Sequence, residues 1–154
     1  MSTSVLSKPV KSNIALKDYV EVENIKYYVD NTKVVLEPTK KEIAVAVWLS
    51  KKLNKKVEIL PRINIPKGIK TADYLIDNQK CDLKNIVSNR NNAIYTSIRG
   101  QERQANNFIF DISKSKLTVK ATIKQIYGVF SMKGFNWINS VIIKKNNSIE
   151  IIKR

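Results

Sequence analysis

Two carboxylates and a lysine, Asp73, Asp82 and Lys84, fall close together in a strongly basic chain. Tyr74-Leu75-Ile76 and Cys81-Asp82-Leu83 have strand-like apolar content. Between them, Asp77-Asn78-Gln79-Lys80 is turn chemistry, since Asn and Asp tolerate positive φ. Side chains alternate along a strand, so Asp82 and Lys84 share a face. A loop of two or four residues sets Asp82 or Lys84 opposite Asp73 and gathers all three on that face, whereas a three-residue loop separates them. Two carboxylates so placed can hold a hard divalent cation such as Mg²⁺ through oxygens at ~2.0–2.1 Å, leaving positions for water and a substrate phosphate. Such an ion acidifies water and offsets charge growing on phosphorus, and a lysine two residues along can orient that water or stabilise that charge. The pattern points to metal-assisted phosphodiester hydrolysis. The competing reading is a surface hairpin whose Asp–Lys cross-strand pair contributes only about 0.2–1 kcal/mol.

The composition fits that chemistry. Of 154 residues, 28 are Lys or Arg and 13 are Asp or Glu, a formal charge of +15. Such an excess favours an anionic polymer as partner and fast, salt-sensitive association with it. Histidine is absent, which excludes Ser-His and Cys-His nucleophiles and removes the commonest zinc ligand. The single Cys81 cannot close an internal disulfide, which suits a reducing compartment. The longest apolar run, Ile43 to Leu49, is far short of a bilayer span, and Met1 to Ile14 has no apolar signal region. The expectation is a soluble protein acting in the cytoplasm.

The elements that must position the hairpin can be read in order. Residues 1–17, polar and Ser/Lys-rich, read as a flexible leader or linker end. Residues 18–154 read as a single domain, with a small β-element over 18–36 and a core over 37–154. Thr39-Lys40-Lys41-Glu42 is a capping box that opens a helix reaching about Leu53, with Ile43, Val47 and the Ala44/Trp48 pair as its apolar stripe. Val57-Glu58-Ile59-Leu60 is a strand, and Pro61 to Lys70 an irregular basic loop feeding Asp73. After the hairpin, a helix is expected over about Asn92 to Asn106, a buried strand at Phe108 to Ile112, a helix over Leu117 to Tyr127, and a loop from Gly128 to Trp137. Val141-Ile142-Ile143 and Ile149 to Ile152 then make a closing hairpin. This order describes an α/β domain, a mixed central sheet flanked by helices. Trp48 and Trp137 read as core rather than as platforms for bases.

Lys67-Gly68-Ile69-Lys70-Thr71-Ala72-Asp73-Tyr74-Leu75-Ile76-Asp77, followed by Cys81-Asp82-Leu83-Lys84, resembles the active-site signature of PD-(D/E)xK nucleases. More narrowly it resembles the C-terminal tRNase domains of contact-dependent growth inhibition toxins and related phage or mobile-element proteins. Ala72 stands where those commonly have proline, and Asn78-Gln79 where they have a glycine turn. The likeness extends over most of Leu36 to Ile152, through the helix carrying Glu42 and the segment Arg99 to Asp111. The resemblance implies a restriction-endonuclease-like core, with Asp73 and Asp82 as metal ligands, the Leu83 carbonyl joining them, and Lys84 as the catalytic lysine. It offers Glu42 as a third acidic site residue, against a purely capping role, and it implies Gln104 at the site with Lys67, Lys70, Arg99 and Arg103 on nucleic acid. The cofactor implied is a divalent metal, Mg²⁺ first, with Mn²⁺ and Zn²⁺ as alternatives. The implied function is a metal-dependent endonuclease acting on RNA, with tRNA favoured. It would serve as an antibacterial or mobile-element toxin, delivered as part of a larger secreted protein and met by an acidic immunity protein. The alternatives are a DNA endonuclease of the same fold and a non-catalytic basic nucleic-acid-binding or phage structural module.

Overall fold

The computed structural model of the protein describes residues 12–102 and 104–154. Along the chain these form β1 (Ile14–Leu16), β2 (Tyr19–Val22), β3 (Ile25–Tyr28), β4 (Val34–Val35), α1 (Lys40–Leu53), β5 (Val57–Ile59), β6 (Arg62–Ile63) and β7 (Tyr74–Ile76). There follow β8 (Gln79–Asn85), α2 (Ala93–Ile98), β9 (Asn107–Asp111), α3 (Val119–Phe130), β10 (Ser140–Lys145) and β11 (Ser148–Lys153). A mixed seven-stranded sheet in the order β1-β5-β7-β8-β9-β10-β11 forms the centre. Within it β8, β9 and β10 run parallel, so Asp82 lies beside Phe108 and Lys84 beside Phe110. The β7–β8 and β10–β11 pairs are antiparallel hairpins.

The period-2 pattern of the strands separates two cores. On one face Val45, Ala46 and Leu49 of α1 pack on Val57, Ile59, Tyr74, Ile76, Cys81 and Leu83. On the other, Ile94 and Ile98 of α2 and Ile126 and Val129 of α3 cover Phe108, Phe110, Val141 and Ile143. Val20 and Val34 join this second core, so β2 and β4 pack against the same face of the sheet. Because Tyr74, Ile76, Cys81 and Leu83 face α1, the alternating residues Asp73, Asp82 and Lys84 face the opposite side.

Several expectations need correction. The leader expected over 1–17 ends sooner, because Ile14–Leu16 adds to the sheet as an edge strand parallel to β5, Ile14 beside Val57; residues 1–11 lie outside the described residues. Part of the basic loop is paired, with Arg62 and Ile63 against Val35 and Val34. The helix expected over 92–106 stops at Ile98, since Gly100 takes φ +77, a left-handed conformation that ends an α-helix. Conversely α3 runs through Gly128 to Phe130, its last-turn packing by Ile126 and Val129 outweighing the glycine penalty of about 1 kcal/mol. The buried stripe of α1 is Val45, Ala46, Leu49 and Ser50 rather than Ile43 and Val47, with Ile43 38% exposed. Apolar residues at seven successive positions left the stripe's phase open. Trp137 packs edge-on to Phe108, and Trp48 sits beside the α1 core, so both are structural.

One ion pair ties α1 to the sheet. Lys41 Nζ lies 2.6 Å from Asp111 Oδ2, whose side chain is only 2% exposed. Burial alone would raise the Asp111 carboxyl, but Lys41 and Ser113 outweigh it and hold the group below its usual value. Lys41→Met should lower the unfolding free energy by about 1–2 kcal/mol, and adding Asp111→Asn should recover part of that, because the cost is an uncompensated buried carboxylate. Denaturant titration of the two variants checks this, and a double variant as weak as the sum of both losses refutes it.

Candidate active site

The β7–β8 hairpin turns on two residues. Asp77 and Asn78 both take positive φ, 53° and 61°, the type I′ geometry whose twist matches a hairpin. Gln79 and Lys80, expected in the turn, instead open β8 opposite Ile76 and Leu75. An even loop fixes the register with Tyr74 facing Cys81, and one step further Asp73 stands across from Asp82. Asp73 Oδ2 accepts the Leu83 backbone N–H at 2.8 Å, which locks the carboxylate against the second half of β8. A residue in a strand presents N–H and C=O to the same edge, so the Leu83 carbonyl also faces the side occupied by Asp73. Lys84 Nζ lies 2.8 Å from Asp82 Oδ2 and donates to Gln101 Oε1 at 3.1 Å. Asp82 is 2% exposed, so this charge pair is screened little by solvent.

Glu42 arrives from α1. Thr39 accepts the Glu42 backbone N–H through its hydroxyl, and Glu42 Oε1 accepts the Thr39 N–H at 2.7 Å, a complete capping box. The same carboxyl shares a hydrogen bond with Asp73, so Glu42 both caps its helix and reaches the hairpin. Tyr74, fully buried, donates its hydroxyl to the Glu42 backbone carbonyl at 2.7 Å and so fixes the end of α1 over β7. Three carboxyls thus crowd together. Burial first, then the Asp82 charge and hydrogen bonds with Asp82 and Glu42, push Asp73 up to about 9, against the lowering effect of the Leu83 N–H. Burial would raise Glu42 too, but hydrogen bonds from Thr39 and Asp73 and the Arg62 charge hold it below the usual carboxylate value.

Glu42 and Asp73 open on a cleft of about 280 Å³ lined also by Arg62, Lys70, Thr71 and Gln104, among others, whereas the buried Asp82 and its partner Lys84 do not line it. Of the expected nucleic-acid contacts, Lys70 and Gln104 are therefore at the cleft. Gln104 Nε2 donates to the Thr71 carbonyl at 3.0 Å, steadying the strand entry rather than meeting the carboxylates. Lys67 and Arg99 are exposed and do not line the cleft, and Arg103 lies outside the described residues. Two site residues escaped the sequence reading. Arg62 was legible only as one cation of a basic loop, and the short strand β6 turns it to the cleft. Gln101 lay within the expected helix, and only the early end of α2 carries it back to Lys84.

Among the described residues no group of three or more Asp, Glu, Cys or His side chains forms a ready cation cage. The donor set is two opposed carboxylates beside an open cleft. That fits a hard cation that keeps water and completes its shell with substrate phosphate, which is how Mg²⁺ is usually held. It does not fit a closed structural zinc site, which calls for Cys and His.

Two of three comparisons with known proteins point the same way. The solved CdiA-CT/CdiI toxin and immunity complex from Burkholderia pseudomallei is similar in fold, with a TM-score of 0.59 at 23% identity over 91% of this chain and 99% of that one. Comparison with curated proteins finds no match. The family profile of the contact-dependent growth inhibition CdiA C-terminal domain matches residues 70–149, a span that holds Asp73, Asp82, Lys84 and Gln101. With just over half of its length so matched, the chain belongs to the CdiA C-terminal domain family, the toxin domains of contact-dependent growth inhibition.

Proposed function

We propose that this toxin domain is a metal-dependent endonuclease of the PD-(D/E)xK type, cutting phosphodiester bonds in RNA, with tRNA the favoured substrate. The observation that carries the reading is the register of the β7–β8 hairpin, which sets Asp73 across from Asp82 with Lys84 bound to Asp82 at 2.8 Å beside an open cleft. Asp73 and Asp82, with the Leu83 carbonyl, would hold the cation. When bound, a hard divalent ion supplies Lewis-acid chemistry, acidifying the attacking water and neutralising charge on the scissile phosphate. The chain's own groups do the rest. Lys84, held from two sides by Asp82 and Gln101, places an ammonium where charge develops in the transition state. Arg62 and Lys70, lining the cleft, orient the phosphate. Glu42 holds Asp73 through their shared hydrogen bond.

The preference for RNA rests on the family likeness, since the same geometry serves DNA. Total tRNA and plasmid DNA, each incubated with the protein in Mg²⁺ or EDTA, separate the substrates; cleavage of neither, or cleavage indifferent to EDTA, overturns the reading. In the similar structure the toxin is in complex with an immunity protein. Here the +15 charge calls for an acidic one, covering the basic face around Lys67 to Lys84 and protecting the producing cell, while the domain itself travels in a larger secreted protein to act in the cytoplasm of a target.

Gln101→Leu keeps the side-chain bulk and removes the acceptor for Lys84. It should lower kcat about tenfold with KM within twofold of wild type, and Gln101→Glu should retain most activity. Steady-state kinetics on the two variants decides, and a loss confined to KM would make Gln101 a substrate contact instead.

A further inference from the structure

The established and proposed roles use the cleft on one side of β8 and leave the other side unexplained. From Ile112 to Ile149 the chain has no acidic residue and seven lysines, Lys114, Lys116, Lys120, Lys124, Lys133, Lys144 and Lys145. The topology puts most of them beside the site. The parallel strands β8, β9 and β10 end together, with Asn85 next to Asp111 and Asp111 next to Lys144. The loop after β9 therefore starts one strand away from Lys84, a spacing of about 4.8 Å. In that loop Lys114 shares a hollow of about 330 Å³ with Lys41, Asn85 and Asp111, adjoining the strand end that carries Lys84. Lys145 is consumed structurally, since its ammonium donates to the Ser115 and Leu117 carbonyls and fixes the loop in place. The held loop then presents Lys114 and Lys116 outward and leads into α3, whose exposed face carries Lys120, Lys124 and Tyr127.

Lys114, Lys116, Lys120 and Lys124 are exposed, and none is in an ion pair among the described residues. α3 contains no acidic residue to neutralise its two lysines. Lys120 and Lys124 lie about one helical turn apart, about 6 Å along α3, and the loop carrying Lys114 and Lys116, with the one strand spacing back to β8, lengthens the row. A row of four exposed cations without ion-pair partners among the described residues, starting beside the strand end that carries Lys84, exceeds what a single scissile phosphate needs. It matches a backbone whose phosphates repeat over on the order of half a duplex turn.

We propose that Lys114, Lys116, Lys120 and Lys124 form a docking track for the phosphate backbone of a double-helical arm of the RNA substrate, leading away from the scissile bond in the cleft. This rests on the nuclease reading above and adds the surface outside the cleft that would hold a helical arm of the substrate. The track contributes affinity without base contacts, so it acts alike on any sequence of the right shape.

The test compares two charge-matched variants. One replaces Lys114, Lys116, Lys120 and Lys124 by Gln; the other replaces Lys51, Lys52, Lys55 and Lys56, exposed at the far end of α1, and so removes equal charge. Affinity for a transfer RNA and for an eight-nucleotide single strand is measured in EDTA over a range of salt. The track variant should bind the transfer RNA at least tenfold more weakly. Its slope of log affinity against log salt should be shallower by roughly 0.7–0.9 for each lysine that contacted phosphate. The short strand should bind within twofold of wild type, and the α1 variant should show less than half the slope change. Equal effects from the two variants overturn the proposal, because net charge would then explain both. Unchanged transfer-RNA binding also overturns it, as does a loss seen only for an acidic protein partner. Any of these leaves the nuclease reading standing if the wild type still cleaves with Mg²⁺, whereas a wild type that neither binds nor cleaves nucleic acid removes both.

Discussion

Asp82→Asn should cut metal-supported cleavage by about a thousandfold or more and leave the protein folded. The residue is 2% exposed and bound to Lys84 at 2.8 Å, so a shape-conserving amide that still accepts from Lys84 avoids a cavity and an orphaned ammonium. What it removes is one full negative charge from the Asp73–Asp82 pair. A thousandfold loss corresponds to about 4 kcal/mol of transition-state stabilisation, within the several kcal/mol that a correctly held cation contributes. Glu42→Gln should do less, about ten- to a hundredfold, because the amide oxygen can still accept the Thr39 N–H and keep α1 capped. Single-turnover rates beside thermal melts separate chemistry from folding. An Asp82→Asn protein that keeps a tenth of wild-type activity would show that these carboxylates are not the catalytic pair.

The difference between those two substitutions reflects how Glu42 was built into the sequence. A capping-box glutamate and an active-site glutamate are alternatives on paper, since Thr39 three residues before it explains its presence fully. In the fold they coexist. Tyr74 draws the Glu42 carbonyl down to β7 at 2.7 Å, and the helix end so placed brings the capping carboxyl onto Asp73. The hairpin itself was legible because its information is local: Asn and Asp at the turn, alternation along the strand, and the parity of the loop decide the face of every side chain. Ile14–Leu16 was not legible, because a three-residue edge strand is defined by its partner β5 more than forty residues away. Arg62 and Gln101 failed for the same reason. Each reaches the site through a non-local event, the pairing of β6 with β4 or the termination of α2 at Gly100, and neither leaves a periodic trace. The lysines after β9 were visible as charge but not as a row, since it takes the shared end of three parallel strands to align them with Lys84.

The metal-free protein should lose stability as pH rises through neutrality, and Asp73→Asn should abolish that loss. Asp73 is pushed up from its ordinary value of 3.8 to about 9 by burial and by the neighbouring Asp82 and Glu42 carboxyls. A folded-state pKa above the unfolded one means that the native protein holds the proton more tightly. The associated stability is therefore complete below about pH 4 and declines as pH climbs from there towards 9. One proton gives a slope of at most about 1.4 kcal/mol per pH unit, and a total of several kcal/mol after allowance for partial solvation of the site. Few other groups obscure the window. The chain has no histidine, and Asp30, held down to about 2 by the Val34 and Thr32 backbone N–H groups, titrates below it, as do the lowered Asp111 and Glu42. Cys81, pushed up to about 12 by burial, adds a decline of the same sign only above about pH 8.5, where an unfolded thiol ionises, so melts between pH 5 and 8 isolate Asp73. In that range Asp73→Asn should melt with little pH dependence and exceed the wild type at pH 8, because a neutral amide can accept from the Leu83 N–H and has no proton to lose on unfolding. Adding Mg²⁺ should raise the wild-type midpoint more at pH 8 than at pH 5, since a cation competes with the proton for the same carboxylate oxygens. A wild type whose melting is flat from pH 5 to 8 would mean that the carboxyls across the hairpin are not crowded as the register requires.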